Sequence, residues 1–157
     1  MTCYRSEVGV FTPLGDAEVA ELATAYELGT VHALRAIAAG TINSKFEITT
    51  ERGHCFVRVN EGKAEADVAW EARLVAALAV RGVITPPPLF ALDGRPYAPL
   101  AGAITKWVSA FPWRAGRHLE PGEITPALAS TFGAALALLH VAGLELCNGF
   151  GELTDPG

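Results

Sequence analysis

Residues 39–62 read AGTINSKFEITTERGHCFVRVNEG, and this stretch decides the fold. It begins as a loop of small residues and continues as two segments in which apolar and polar side chains alternate, which is typical of half-buried β-strands. Gly53 follows Glu51 and Arg52 in a short turn between the segments, where a glycine tolerates a positive φ. The apolar faces carry Phe46 and Ile48 on the first segment and Cys55, Val57 and Val59 on the second. The stretch therefore predicts an antiparallel β-hairpin preceded by a glycine-containing loop.

The loop from Ala38 to Ser44 has two interpretations. A loop of small residues between antiparallel strands can direct its backbone N–H groups at a phosphate. Most hairpin loops of this kind are purely structural, however, so the composition of the loop alone leaves both interpretations open.

Composition limits the fold and the partners. The chain has 157 residues, of which 50% are hydrophobic, so it can bury one sizeable core as one domain or two small lobes. A net charge of −5 argues against nucleic acid or a membrane as the main partner. Cys3, Cys55 and Cys147 are odd in number and far apart, which argues against a disulfide framework or a zinc site. We therefore expect a cytoplasmic protein. Because its first residues contain no sufficiently long apolar run, we expect neither a signal peptide nor a membrane anchor.

Further elements follow from the periodicity of apolar residues. A helix is predicted over 16–26, with Val19, Leu22, Ala23 and Tyr26 as its apolar stripe. A strand over 31–37 leads into the loop, and a second helix follows over 64–80. Additional strands are predicted over 89–92 and 104–111. The predicted fold is α+β, a five-stranded antiparallel sheet with a helix across it.

The helix over 64–80 contains one carboxylate in an apolar position. Glu71 lies on the same face as Val68, Val75 and Leu78. An unpaired carboxylate is costly to bury, so Glu71 either pairs with a cation or lies at the edge of the stripe in water. Arg58 on the preceding strand is the candidate cation, and the pattern alone does not decide between these alternatives.

The last predicted helix, over 125–141, is apolar on almost every side. Thr125 suits the N-cap and Pro126 the first helical position. A helix without a polar face belongs inside a larger body, so we expect it to be a buried helix and not a membrane span. The residues that should pack against this helix are then either missing from this sequence or supplied by another chain.

Several short motifs, taken in order, resemble one known family. They comprise the run Gly40–Phe46, the strand Phe56–Val59, Glu71, the turn Asp93–Arg95, and the helical run Gly133–His140. Together they resemble the N-terminal half of bacterial homoserine kinase of the aminoglycoside-phosphotransferase type, a protein-kinase-like family. The resemblance extends from about Val10 to Gly151. It implies a nucleotide-binding N-lobe over 1–111, a linker over 112–122, and the start of a truncated helical C-lobe over 123–157.

The resemblance also implies roles for individual residues. Gly40, Thr41, Asn43 and Ser44 would cover the triphosphate of ATP. Arg58 would occupy the position where this superfamily usually has a phosphate-binding lysine, with Glu71 as its partner. Ser109, Ala110 and Phe111 would form the hinge that receives adenine. The arginine departs from the family pattern because it spreads its charge over a planar fork, and Trp113 stands where the family usually has glycine.

Phosphoryl transfer in this class needs an aspartate base in a His-Gly-Asp-type loop and acidic ligands for magnesium. None of His32, His54, His118 and His140 is followed by Gly-Asp. We therefore expect no catalytic or metal-binding residue among these 157, weak ATP binding, and magnesium only with the missing half.

Two functions stay open. The first is the nucleotide-binding half of a homoserine-kinase-like phosphotransferase, inactive alone and completed by a C-terminal half. The second is a non-catalytic nucleotide-binding or interaction module that self-associates through its apolar C-terminal helix.

Overall fold

The computed structural model describes residues 11–38, 42–117 and 119–149, with side chains up to Cys147. The helices are α1 (Asp16–Ala25), α2 (Glu65–Val80) and α3 (Pro126–Gly149), and a single 3-10 turn covers Pro121–Glu123. The strands are β1 (Val31–Ala36), β2 (Ser44–Thr50), β3 (Gly53–Asn60), β4 (Ala98–Leu100) and β5 (Lys106–Pro112).

All five strands belong to one antiparallel sheet in the order β1-β2-β3-β5-β4. The hairpin of β2 and β3 pairs Ser44 with Val59 and Thr50 with Gly53, as the alternation of side chains predicts. Gly53 has a φ of 119°, which only glycine adopts without strain. The hairpin therefore forms where the sequence places it, and β5 joins it on the far side of β3.

Helix α1 contributes to the hydrophobic core through its predicted stripe. Val19, Leu22, Ala23 and Tyr26 are all buried, together with Phe46, Ile48, Val57 and Val59 of the hairpin. The Tyr26 hydroxyl donates a hydrogen bond of 2.7 Å to the carbonyl of Val108 on β5. Burial raises the pKa of this hydroxyl well above its usual value, so it stays protonated as a donor.

The predicted strand over 89–92 is wrong, because the fourth strand is Ala98–Leu100. The backbone donors of residues 89–92 have other partners. Leu89 N–H donates to the carbonyl of Ala110, and Ala91 N–H donates to that of Arg95, each at 2.8 Å. The second of these bonds belongs to the turn around Gly94, which has a φ of 81°. The chain therefore turns before it pairs continuously with β5.

The chain divides into two compact units, residues 1–69 with 88–113 and residues 70–87 with 114–157. The first unit holds the sheet and α1. The division into 1–111, 112–122 and 123–157 stays a prediction.

The second unit contains α3. Leu128 N–H donates to Thr125 Oγ1 at 3.2 Å, which confirms the predicted N-cap. In the same unit Arg81 Nε lies 3.5 Å from Glu145 Oε2.

Large apolar side chains of α3 are exposed, among them Phe132 at 70%, Leu144 at 64% and Val141 at 54%. The segment Pro126–Cys147 is long and apolar enough to cross a membrane, a test that core helices of soluble proteins also pass.

Candidate functional site

The sheet of the first unit has an apolar face and a polar face. We use "polar face" for the second set of alternating side chains, which lies opposite the core residues. Its members on β2, β3 and β5 are Lys45, Glu47, Thr49, His54, Phe56, Arg58 and Phe111, all half-buried except the exposed His54. Cationic, aromatic and acidic groups therefore share one surface of a rigid sheet.

The strand register arranges these side chains in two rows. Lys45 pairs with Arg58, and Arg58 with Ser109. One step along the strands, Glu47 pairs with Phe56, and Phe56 with Phe111. The first row lies nearer the segment that joins β1 to β2, and the second lies nearer the end of β5. A cationic row and an aromatic row thus run side by side.

The guanidinium of Arg58 lies against the aromatic row. The rings of Phe56 and Phe111 lie 6.1 Å apart between centroids and are tilted by 49°. Arg58 Cζ lies 5.7 Å from the centroid of Phe111, within the range of a cation–π contact. Trp113, one residue beyond β5, donates its backbone N–H to the carbonyl of His54 at 3.2 Å.

Glu47 is the carboxylate of the polar face. It accepts hydrogen bonds from Arg35 of β1 and, at 3.0 Å, from Nδ1 of His54. The hydrogen bond from Arg35 is the main reason that the pKa of Glu47 is lowered, and the smaller effect of burial opposes it. Glu47 is therefore ionised at neutral pH and balances the charge of Arg35.

Two of the predicted loop residues, Gly40 and Thr41, lie outside the described residues. The two that follow them are held by other parts of the protein. Asn43 Oδ1 accepts a hydrogen bond of 3.1 Å from the backbone N–H of Glu61. Ser44 is fully buried, and its hydroxyl donates to Glu61 Oε1 at 2.6 Å. The Ser44 hydroxyl therefore already has partners within the first unit.

The predicted partners Arg58 and Glu71 lie on different elements. Arg58 is half-buried on β3, within the first unit. Glu71 is half-buried on α2 and belongs to the second unit. Their ion pair stays a prediction.

The three predicted hinge residues differ in how they are presented. Ser109 is buried, and its hydroxyl accepts a hydrogen bond of 3.1 Å from Asn60 Nδ2. Ala110 is also buried, and its carbonyl accepts a hydrogen bond from the backbone N–H of Leu89. Of the three, Phe111 alone places a half-buried side chain on the polar face. The adenine-binding role of this strand end stays a prediction.

The sequence interpretation did not assign Lys45, Glu47 or Phe56 to the site, although it placed all three on the polar side of their strands. The register of the hairpin could have identified these residues from the sequence. A turn that ends at Gly53 sets Lys45 opposite Arg58 and Glu47 opposite Phe56. Counting back from the turn would have found both pairs.

One cavity in the described part of the first unit lies elsewhere. It has a volume of about 730 Å³ and is bounded by α1, by β1 and by Arg52 in the hairpin turn. Its lining includes Asp16, Thr24, Glu27 and His32 but no Phe, Tyr or Trp side chain. We therefore place the candidate site on the polar face, where rings and cations lie together.

The polar face suits a ligand with a planar ring and an anionic group. Aromatic side chains stack on flat heterocycles, and Lys and Arg bind phosphate oxygens. Within the described residues, no three His, Cys, Asp or Glu side chains are grouped so that they could hold a metal ion.

Comparison with known proteins gives a family and a fold. Residues 33–154 match the model of the phosphotransferase enzyme family (APH). A homoserine kinase of Gluconacetobacter diazotrophicus is 33% identical over 158 residues, which cover 96% of this chain and 47% of that protein. A homoserine kinase of Afipia carboxidovorans is 32% identical over 139 residues, covering 88% of this chain and 41% of that protein. The chain thus spans less than half the length of either relative.

Among solved structures, a spectinomycin phosphotransferase in complex with ADP and spectinomycin is similar, with a TM-score of 0.66 and 16% sequence identity. The match covers 83% of this chain and 39% of that one. At this identity the likeness concerns the fold, and it identifies the five-stranded sheet with its helices as a protein-kinase-like N-lobe followed by part of a C-lobe.

Proposed function

The chain belongs to the phosphotransferase enzyme family, and from this premise we propose that it is the nucleotide-binding part of an ATP-dependent phosphotransferase that acts on a small-molecule hydroxyl. The observation that carries the proposal is the polar face, where the row of Lys45 and Arg58 adjoins the row of Phe56 and Phe111.

The two rows suggest the orientation of the nucleotide. Adenine stacks against Phe111 at the end of β5, where protein-kinase-like folds have their hinge. The phosphates then lie towards Lys45 and Arg58, beside the loop that contains Gly40 and Thr41. In this arrangement the planar adenine ring contacts an aromatic side chain, and the anionic phosphates contact cationic side chains.

Homoserine is the proposed acceptor, because the two relatives described above are homoserine kinases at 33% and 32% identity. These relatives also support a cytoplasmic location. The catalytic aspartate and the magnesium ligands are proposed to lie in a C-terminal half, since none of the 157 residues has their sequence context. The chain is then inactive alone.

ATP binding should be weak and nearly independent of magnesium. Magnesium normally bridges the phosphates to acidic side chains, which we place outside this chain. Calorimetric titration of ATP with and without magnesium tests this expectation. A strong magnesium dependence would reveal a metal site among these residues and contradict the proposal.

The nucleotide proposal itself is tested with two variants and a control. Lys45→Ala and Arg58→Ala should each weaken ATP binding about tenfold and leave adenosine binding within about twofold of the wild type. Arg52→Ala removes an exposed cation from the hairpin turn and should change neither affinity. Equal ATP affinity for all four proteins would overturn the proposed orientation.

The exposed apolar surface of α3 supports a second candidate function, an assembly module. Phe132, Leu136 and Leu139 are exposed at 70%, 40% and 38%. Contiguous apolar patches are rare on soluble monomers, so this surface favours self-association or contact with a C-terminal half. The two functions are compatible, since a chain that binds nucleotide through its sheet can also associate through α3.

A further inference from the structure

Ser44 is the centre of a polar cluster at the start of β2. Its side chain is fully buried at the first position of β2. The hydroxyl oxygen accepts the backbone N–H groups of Phe11 and Thr12 at 2.8 and 2.9 Å. The hydroxyl in turn donates to Glu61 Oε1. One side chain therefore connects the segment before α1 to the residue that follows β3.

Glu61 extends this cluster in two further directions. Its Oε2 accepts a hydrogen bond of 2.6 Å from Nζ of Lys106, the first residue of β5. Lys106 Nζ also donates to Thr12 Oγ1. The backbone N–H of Glu61 donates to Asn43 Oδ1. Glu61 thus joins the residue before β2, the start of β2, the start of β5 and the segment before α1.

The carboxyl of Glu61 is charged in this setting. Burial raises its pKa, but hydrogen bonds from Lys106 and Ser44 outweigh that effect, and the pKa is lowered overall. The side chain of Glu61 is 13% exposed and that of Lys106 is 32% exposed. A half-buried ion pair of this kind seldom adds much net stability, and its best-attested role is to fix the register of the parts it joins.

The parts joined here border the proposed phosphate-binding loop. Asn43 and Ser44 are the last residues before Lys45, and Ile37 N–H donates to the carbonyl of Lys45 at 2.9 Å across the base of the loop. Because Lys45 directly follows Ser44, a displacement of Ser44 also displaces the Lys45 ammonium. Glu61 therefore holds the end of the loop that leads into Lys45.

We propose that Glu61 is a positioning residue for phosphate recognition, which holds Asn43 and Ser44 so that the adjoining Lys45 meets the phosphates. The inference rests on the proposed nucleotide function. Glu61 itself touches no phosphate, and it acts through Asn43 and Ser44. Phe11 and Thr12 contribute to the same positioning, because their backbone N–H groups donate hydrogen bonds to the Ser44 hydroxyl.

The test compares ATP with adenosine in calorimetric titrations of the whole chain. Glu61→Ala should weaken ATP binding about tenfold and leave adenosine binding within about twofold of the wild type, because only ATP carries phosphates for Lys45 to bind. Glu61→Gln keeps an acceptor for Ser44 and should recover most of the loss. Glu65→Ala removes a carboxylate that pairs with Arg95 at 2.8 Å in the same unit, and it should change neither affinity.

The outcomes separate this inference from the proposed function. A wild type that binds neither ligand would overturn the proposed function and this inference with it. A wild type that binds ATP, together with a Glu61→Ala variant of equal ATP affinity, would overturn the inference alone. Equal losses of ATP and adenosine binding would also overturn it, because they indicate a general structural defect. If Glu61→Ala does not fold, the same comparison of ATP with adenosine is made with Lys106→Gln, which removes the ammonium that pairs with Glu61. This variant should lose affinity for ATP and keep its affinity for adenosine.

Discussion

The guanidinium of Arg58 lies over the ring of Phe111, with Cζ 5.7 Å from the ring centroid, across the pairing of β3 with β5. This contact links the cationic row of the polar face to its aromatic row. It also limits the space between them, so that a flat ligand against Phe111 has its anionic end close to Arg58. The consequences can be tested on each row separately.

Phe111→Ala should weaken the binding of both ATP and adenosine, because both ligands carry the ring that stacks. Base–aromatic stacking is worth about 1–3 kcal/mol, so the loss should be about fivefold to about 150-fold for each ligand. Phe90→Ala is the matched control, since Phe90 is 66% exposed and lies outside the polar face. Unchanged adenosine affinity in Phe111→Ala would exclude this ring as the adenine contact.

The predicted ion pair of Arg58 and Glu71 calls for a double-mutant cycle. Both side chains are half-buried, so Arg58→Ala should lower the free energy of unfolding by about 1–3 kcal/mol. If the two residues pair, Glu71→Gln should cost little further in the Arg58→Ala background. Urea unfolding of the four proteins measures the coupling, and additive losses would show that Glu71 has another role.

Acid should remove the contribution of Glu61 to stability. Folding lowers the pKa of this carboxyl, so its contribution is complete above the unfolded value of about 4.3 and is lost as the pH falls through the folded value. The difference in melting temperature between the wild type and Glu61→Gln should therefore be largest at neutral pH and shrink below about pH 4. A difference that stays constant down to pH 3 would mean that Glu61 is not held as a charged carboxylate.

Helix α3 should cause self-association of the isolated chain. Leu136 and Leu139 are exposed at 40% and 38% and lie three residues apart, so they share a helix face. Changing both to Glu should shift the chain from dimer to monomer in light scattering. Ile84→Glu alters an apolar residue that is 94% exposed outside α3, and it should leave the dimer intact. A monodisperse wild-type monomer would contradict the prediction.

Local patterns predicted most of the fold. The hairpin follows from alternation around Gly53, α1 from the spacing of its buried stripe, and the start of α3 from Thr125 and Pro126. The fourth strand was misplaced because Leu89 and its neighbours are apolar enough for a strand, whereas their backbone groups bond to a turn and to single residues of other elements. Such partners are distant in sequence and leave no periodic signal.

The site was less predictable than the fold. Alternation placed Arg58 on the polar side of β3, and the family resemblance singled it out. The roles of Glu61 and Lys106 depend on Ser44 and Thr12, which lie 17 and 94 residues away, respectively. Only the folded sheet brings those four side chains together. The sequence therefore indicates which residues can bind a phosphate but not which residues hold them in place.

We propose above all that adenine nucleotide binds on the polar face of the sheet. The most direct measurement is a titration of the isotope-labelled chain with ATP, followed by the amide resonances in NMR spectra. We predict that the largest shifts fall on Lys45, Phe56 and Phe111, while Ala20 and Thr24, beside the cavity at α1, stay unchanged. Shifts confined to the α1 side, or no shifts at millimolar ATP, would contradict the account.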